Sequence, residues 1–134
     1  MDYLIHTLLE PSKAKLMSQT LLKEKVSWQD GKKTAGHQAA KVKNNSQLDK
    51  ESTIAIEQST EVINSLKADQ LIKSFCLPKR IHGVRFTRSG HGQGYGMHVD
   101  NAYMNSGRSD LSFTLFLSSP NDYEGGELCI QTMQ

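Results

Sequence analysis

The stretch from Phe86 to Leu128 constrains the chain most, because short apolar runs alternate there with glycine-rich turns. Ser89-Gly90-His91-Gly92-Gln93-Gly94 reads as a turn, and Tyr95-Gly96-Met97-His98-Val99-Asp100 follows it directly. From Leu111 to Leu117 the alternation predicts a strand. Leu111, Phe113, Leu115 and Leu117 fall on one face, with Ser112, Thr114 and Phe116 on the other. Pro120-Asn121-Asp122 turns the chain again, and the Gly125-Gly126 pair reads as a tight entry into Glu127-Leu128-Cys129-Ile130 rather than a phosphate cradle.

At the centre of this stretch, His98 and Asp100 are two positions apart, so on a strand they leave the same face. An imidazole and a carboxylate side by side supply two of the three ligands of the 2-His-1-carboxylate facial triad, which holds Fe(II) with positions left open. A bare His-x-Asp also occurs by chance on solvated surfaces, so the surrounding residues must decide. His82 and His91 are the other histidines near the motif. His91 lies in a glycine-rich turn, where holding one ligand geometry costs entropy. His82 would need a hairpin to come close. His6 reads as a partly buried histidine near an edge rather than a ligand.

The rest of the chain is read as support. Tyr3, Ile5, Thr7 and Leu9 alternate as in a short strand. Pro11 suits a first helical turn, and Ala14, Met17 and Leu21 follow at helical spacing. Trp28 to Lys32 reads as a strand end entering a turn in which Asp30-Gly31 tolerates positive φ. Residues 34–45 show no clear period and are expected to form a loop, with Asn44 and Asn45 satisfying turn backbone. From Ser52, a plausible N-cap, to about Phe75 the pattern is helical, with Ala55, Val62, Ile63, Leu66 and Ile72 near one side. Pro78 stops the helix, and Ile81 to Phe86 alternate as a new strand.

A formal net charge of +2 gives no reason to invoke nucleic acid or an anionic membrane, and no apolar run approaches membrane-spanning length. Lys41 and Lys43, like Lys23 and Lys25, are expected on a solvated face. Asp2 stands where a signal peptide needs basic residues, and Cys76 and Cys129 form neither a metal motif nor a disulfide framework. A reducing, cytoplasmic setting is the default expectation.

The segments YGMHVDNAYM (95–104), GRSDLSFTLFLSSP (107–120) and YEGGELCIQ (123–131), with DGKKTAGHQAAKVKNN (30–45), resemble the PKHD-type hydroxylases. These are prokaryotic Fe(II)- and 2-oxoglutarate-dependent dioxygenases of the prolyl/lysyl hydroxylase superfamily. The resemblance implies an α+β chain in which N-terminal helices and loops (1–79) pack on a double-stranded β-helix, or jelly roll, begun by residues 80–134. It implies His98 and Asp100 as metal ligands and catalytic residues. It also implies Fe(II) as cofactor, 2-oxoglutarate as co-substrate, L-ascorbate to keep iron reduced, and O2 with an unidentified substrate as reaction partners. Ser112 and Thr114 are the hydroxyl-bearing candidates for the co-substrate pocket, the equal alternative being a strand whose polar face lies in solvent.

Two departures qualify the resemblance. Many relatives carry at position 89 a tyrosine that helps hold the co-substrate, and here it is Ser89. The family's second histidine ligand and its 2-oxoglutarate arginine lie on later strands, so the chain is expected to be a C-terminally incomplete jelly roll of impaired activity. The rival expectations are a non-catalytic fragment, and an interaction module whose open sheet edge pairs with another copy or another chain.

Overall fold

A computed structural model describes residues 3–23 and 25–132. Helix α1 (Pro11–Leu21) begins on Pro11, as its spacing predicts, and buries Met17 and Leu21. Helix α3 (Thr53–Ala68) follows the short α2 (His37–Ala40). The Ser52 hydroxyl caps it by accepting the Ala55 N–H at 3.3 Å. Ala55, Val62 and Leu66 form the buried stripe of α3. The helical pattern to Phe75 is broken once. Asp69 leaves helical geometry, and its carboxylate accepts the Ile72 N–H at 2.9 Å to start α4 (Gln70–Cys76). A short acidic side chain that can bond nearby backbone favours such a break. Helix α4 ends with Leu77 in the left-handed region at φ 44°, a C-terminal cap whose N–H still donates to the Lys73 carbonyl, and Pro78 bars the helix from continuing.

The strands are short. β1 (Trp28–Asp30), β3 (Ser46–Leu48) and β4 (Thr87–Arg88) form an antiparallel sheet in the order β1-β3-β4. β2 (Lys43–Asn44) pairs with β5 (Gly94–Tyr95), and β6 (Tyr103–Met104) with β7 (Gly107–Arg108). The core lies where Leu48 and Phe86 meet the buried residues of α1 and α3, with Leu9 closing one side. Leu115 and Leu117 pack against this cluster and are half-buried.

Several expectations are corrected. Residues 3–9 form no strand, although Leu9 is buried. The turn at Asp30-Gly31 does not use positive φ. Instead the Asp30 carboxylate caps a 3-10 turn by accepting the Lys32 N–H at 2.9 Å. Gly31 is required there because a Cβ would overlap the Asn45 amide oxygen. Residues 34–45, expected as loop, contain α2 and β2. Residues 81–86 lie outside any strand, although the Phe86 carbonyl already accepts the Leu48 N–H at 2.9 Å.

Residues 111–117 and 127–130 form no ladder among the described residues. A strand exists only where a neighbour satisfies its N–H and C=O groups, and nothing described lies beside these segments to do so. The architecture is therefore mixed helix and antiparallel sheet with an open edge. Gly125 and Gly126 take φ of 76° and 74°, which fits the reading of that pair as a turn device.

Candidate active site

β5 places the central motif. Tyr95 lies opposite Lys43, and Gly94 opposite Asn44. Just past the ladder, the Gly96 N–H donates to the Val42 carbonyl at 2.8 Å. The approach is close enough that a Cβ on Gly96 would sit 2.9 Å from Val42 Cβ.

The Gly96 carbonyl then accepts a hydrogen bond from His98 Nδ1 at 2.8 Å. A carbonyl only accepts, so Nδ1 carries the proton and the neutral ring keeps its lone pair on Nε2. Nε2 faces Asp100 Oδ1 at 3.3 Å. The Tyr95 ring stacks on the imidazole, centroids 3.7 Å apart and planes 12° from parallel. The His98 side chain is 24% exposed and that of Asp100 63%. With the ring neutral, a nitrogen lone pair and a carboxylate oxygen, both acceptors, thus face one another at a solvent-open edge. Such a pair can share a cation or a proton.

His98 and Asp100 come together as the spacing predicts, but not through a strand face. Residues 96–100 carry no ladder, and the local hydrogen bond from His98 to Gly96 turns the imidazole instead.

Residues 84–134 match the 2OG-Fe(II) oxygenase superfamily. Over its whole length the chain is 63% identical to a PKHD-type hydroxylase of Prochlorococcus marinus strain MIT 9313, and covers 61% of that relative. A PKHD-type hydroxylase of strain MIT 9211 is 60% identical over the same span. One of strain MIT 9301 is 49% identical, over 99% of the chain and 60% of the relative. The chain is a homologue of the PKHD-type hydroxylases. It spans about three-fifths of the length of these curated relatives. No solved structure matches it.

Elsewhere in this PKHD-hydroxylase homologue, His82, His91 and His6 are occupied or apart. His82 Nε2 donates to the Arg108 carbonyl at 2.8 Å, and its Nδ1 then accepts from the Ser106 hydroxyl at 2.7 Å. His82 therefore fastens its segment to the β6–β7 turn. His91 is exposed in the glycine turn. His6 Nε2 meets Asp69 Oδ2 at 2.7 Å, beside the α3–α4 break. Among the described residues, no third His, Cys, Asp or Glu joins His98 and Asp100 in a metal-holding cluster. Ser112 and Thr114 are exposed, and no ladder ties their segment to the one bearing His98.

Two neighbours of the site escaped the sequence reading. Lys43, expected in solvent, is only 6% exposed, with its ammonium 4.8 Å from the Tyr95 ring centroid. Burial lowers the Lys43 pKa, the positive charge of Arg85 lowers it further, and Asp30 partly offsets both. Tyr95, treated only as part of the motif, is the ring against His98. Its phenol is pushed up by burial and then by the negative charge of Asp100. Lys43, Asn45 and Gln47 are buried polar residues at period two, but residues 43–47 are polar throughout, so the sequence carries no alternation that would mark them.

Proposed function

We propose that the chain carries the metal-binding motif of an Fe(II)- and 2-oxoglutarate-dependent dioxygenase acting on paired donors, with His98 and Asp100 as ligands. The observation that supports this most is the approach of His98 Nε2 to Asp100 Oδ1 at 3.3 Å, Nδ1 being held by the Gly96 carbonyl. Neighbouring ligands about 2.1 Å from an octahedral ion lie about 3.0 Å apart, so this donor pair fits a metal with little rearrangement. A backbone carbonyl on the remote imidazole nitrogen is the usual outer partner of a metal-bound histidine.

In this reading His98 and Asp100 hold the ion, the Gly96 carbonyl fixes the tautomer, and Tyr95 shields one face of the imidazole from water. Bound iron supplies oxygen activation, coupled to oxidative decarboxylation of 2-oxoglutarate to succinate and CO2 and to hydroxylation of a substrate C–H bond. In this reading the remaining histidine ligand and the 2-oxoglutarate arginine belong to later strands, and ascorbate is the reductant. Ser112 and Thr114 belong to the co-substrate side, on a strand that pairs once those neighbours are present. Residues 80–134 are then the opening part of a jelly roll supported by residues 1–79, working in the cytoplasm. Among the described residues no helix is long and apolar enough to cross a membrane.

The test is Mn(II) binding, followed by paramagnetic resonance, on this chain. His98→Ala and Asp100→Ala should each abolish binding, whereas His91→Ala should retain it. Equal loss at His91 would refute the ligand assignment. Succinate formation by the 134-residue chain should be far below that of a chain extended by the relatives' later strands. Comparable rates, stopped by Asp100→Ala, would mean that one of this chain's own residues completes the site.

A further inference from the structure

We propose that Lys43 sets the ring plane of His98, acting through Tyr95, and so is a positioning residue for the ligand assigned above. The inference rests on that assignment for its purpose, but its geometry stands separately. A single hydrogen bond from Nδ1 to the Gly96 carbonyl, at 2.8 Å, pins one point of the imidazole and leaves the ring free to swing about it. The stack on Tyr95, 12° from parallel, supplies the second constraint and aims the Nε2 lone pair.

The Tyr95 ring must itself be held. Its backbone is fixed by the ladder with β2, which sets Lys43 directly across from it. The imidazole stacks on the ring at 3.7 Å, and the Lys43 ammonium lies over the ring 4.8 Å from its centroid. The ring is thus in contact with both a cation and the imidazole it orients.

The chemistry of Lys43 supports a dedicated role. A lysine only 6% exposed has surrendered most of its hydration. Among the described residues no carboxylate lies within ion-pair distance of it; the neighbouring Arg85 repels it, and Asp30 offsets this only in part. A buried cation without a directly paired carboxylate is unfavourable unless another electron-rich group faces it. The face of the Tyr95 ring is that group. The segment carrying Lys43 is accordingly more than a loop beside the site, because it holds the first ligand in line.

The experiment reads the His98 ring protons by NMR in the isotopically labelled chain, with Mn(II) affinity as a second readout. In the wild type the stacked Tyr95 should shift the His98 ring protons upfield of those of His91. Lys43→Met should move them toward the His91 position and weaken Mn(II) binding about tenfold or more, as lost outer-shell partners do. Lys43→Arg should restore both, which a generic packing role would not require. Tyr95→Phe should keep the upfield shift and Tyr95→Leu should lose it, a comparison that stands if Lys43→Met fails to fold. Unchanged His98 ring protons in folded Lys43→Met would overturn the proposal, as would equal spectra for Tyr95→Phe and Tyr95→Leu. Shifts that follow Lys43 in a chain that binds no Mn(II) would uphold the coupling and refute the ligand assignment instead.

Discussion

Gly96→Ala tests the contact on which the site is built. The added Cβ would stand 2.9 Å from Val42 Cβ, 3.5 Å from the Val42 carbonyl oxygen and 3.6 Å from Val42 Cγ1. Carbon atoms pack at about 3.5–4.0 Å, so the strands must part by about 0.6 Å or more. Val42 Cβ is a branch point bonded to the backbone and cannot swing aside. Overpacking of this kind costs about 1–3 kcal/mol. The Gly96 N–H to Val42 carbonyl bond at 2.8 Å would stretch with it. A hydrogen bond contributes about 0.5–1.5 kcal/mol net, and alanine regains about 0.4–1 kcal/mol through the unfolded chain. The balance is a loss of about 1–3 kcal/mol. With a urea slope of about 2 kcal/mol per molar, the midpoint should fall by about 0.5–1.5 M. Gly94→Ala is the control, because nothing lies within 4 Å of a Cβ there. Mn(II) affinity should fall in Gly96→Ala as well, since the displaced carbonyl no longer holds Nδ1 of His98. A Gly96→Ala midpoint matching that of Gly94→Ala would show that the motif does not dock on Val42, and the account of how His98 is aimed would fail with it.

Two further outcomes follow from other parts of the chain. Asp69 accepts from His6 and from the Ile72 N–H, which holds its pKa below the ordinary carboxylate value. The folded state therefore binds fewer protons there than the unfolded chain, and this contribution is complete above the unfolded pKa of about 3.9 and lost as pH falls through the lower folded value. Urea midpoints measured on an acid series should fall less steeply for Asp69→Asn than for the wild type; identical slopes would refute the coupling. Leu111, Phe113, Phe116, Leu128 and Ile130 are 47–59% exposed on segments without a ladder, so the chain should bind a hydrophobic dye and self-associate as concentration rises. A monodisperse monomer with a sharp thermal transition and no dye binding would contradict this.

The helices and the core were legible in the sequence because their signals are local. Pro11 at the start of α1, the Ser52 cap, and the period of Ala55, Val62 and Leu66 each depend on neighbours within a few turns. The single helix read to Phe75 was wrong at Asp69, where a capping side chain outweighed an apolar period that continues to Ile72. Strand readings were less successful, because a ladder needs a partner that one segment cannot specify. The alternation in residues 3–9, 81–86 and 111–117 is real, yet none of these segments forms a strand, while the irregular residues around Lys43 do pair. The donor pair was legible as a spacing, but its mode of assembly was not. That mode depends on Val42, Lys43 and Tyr95, and two of these lie in a stretch with no readable period.

The manner in which His98 and Asp100 meet separates the donor pair from the barrel it is assigned to. Had a strand face aligned them, an unpaired segment would let them drift apart, since side-chain direction in a strand is set by the pleat. Instead, the imidazole is aimed by a bond to a carbonyl two residues away and by a ring three residues away. Among the described residues, its distant support is the β2–β5 ladder with the Gly96–Val42 bond just past it and the Lys43 contact. Both strands of that ladder lie within the described chain, so the alignment needs no later strand. In this reading the first two ligands are set before the sheet closes, and closure adds the third ligand and the co-substrate arm to a half-site already in register.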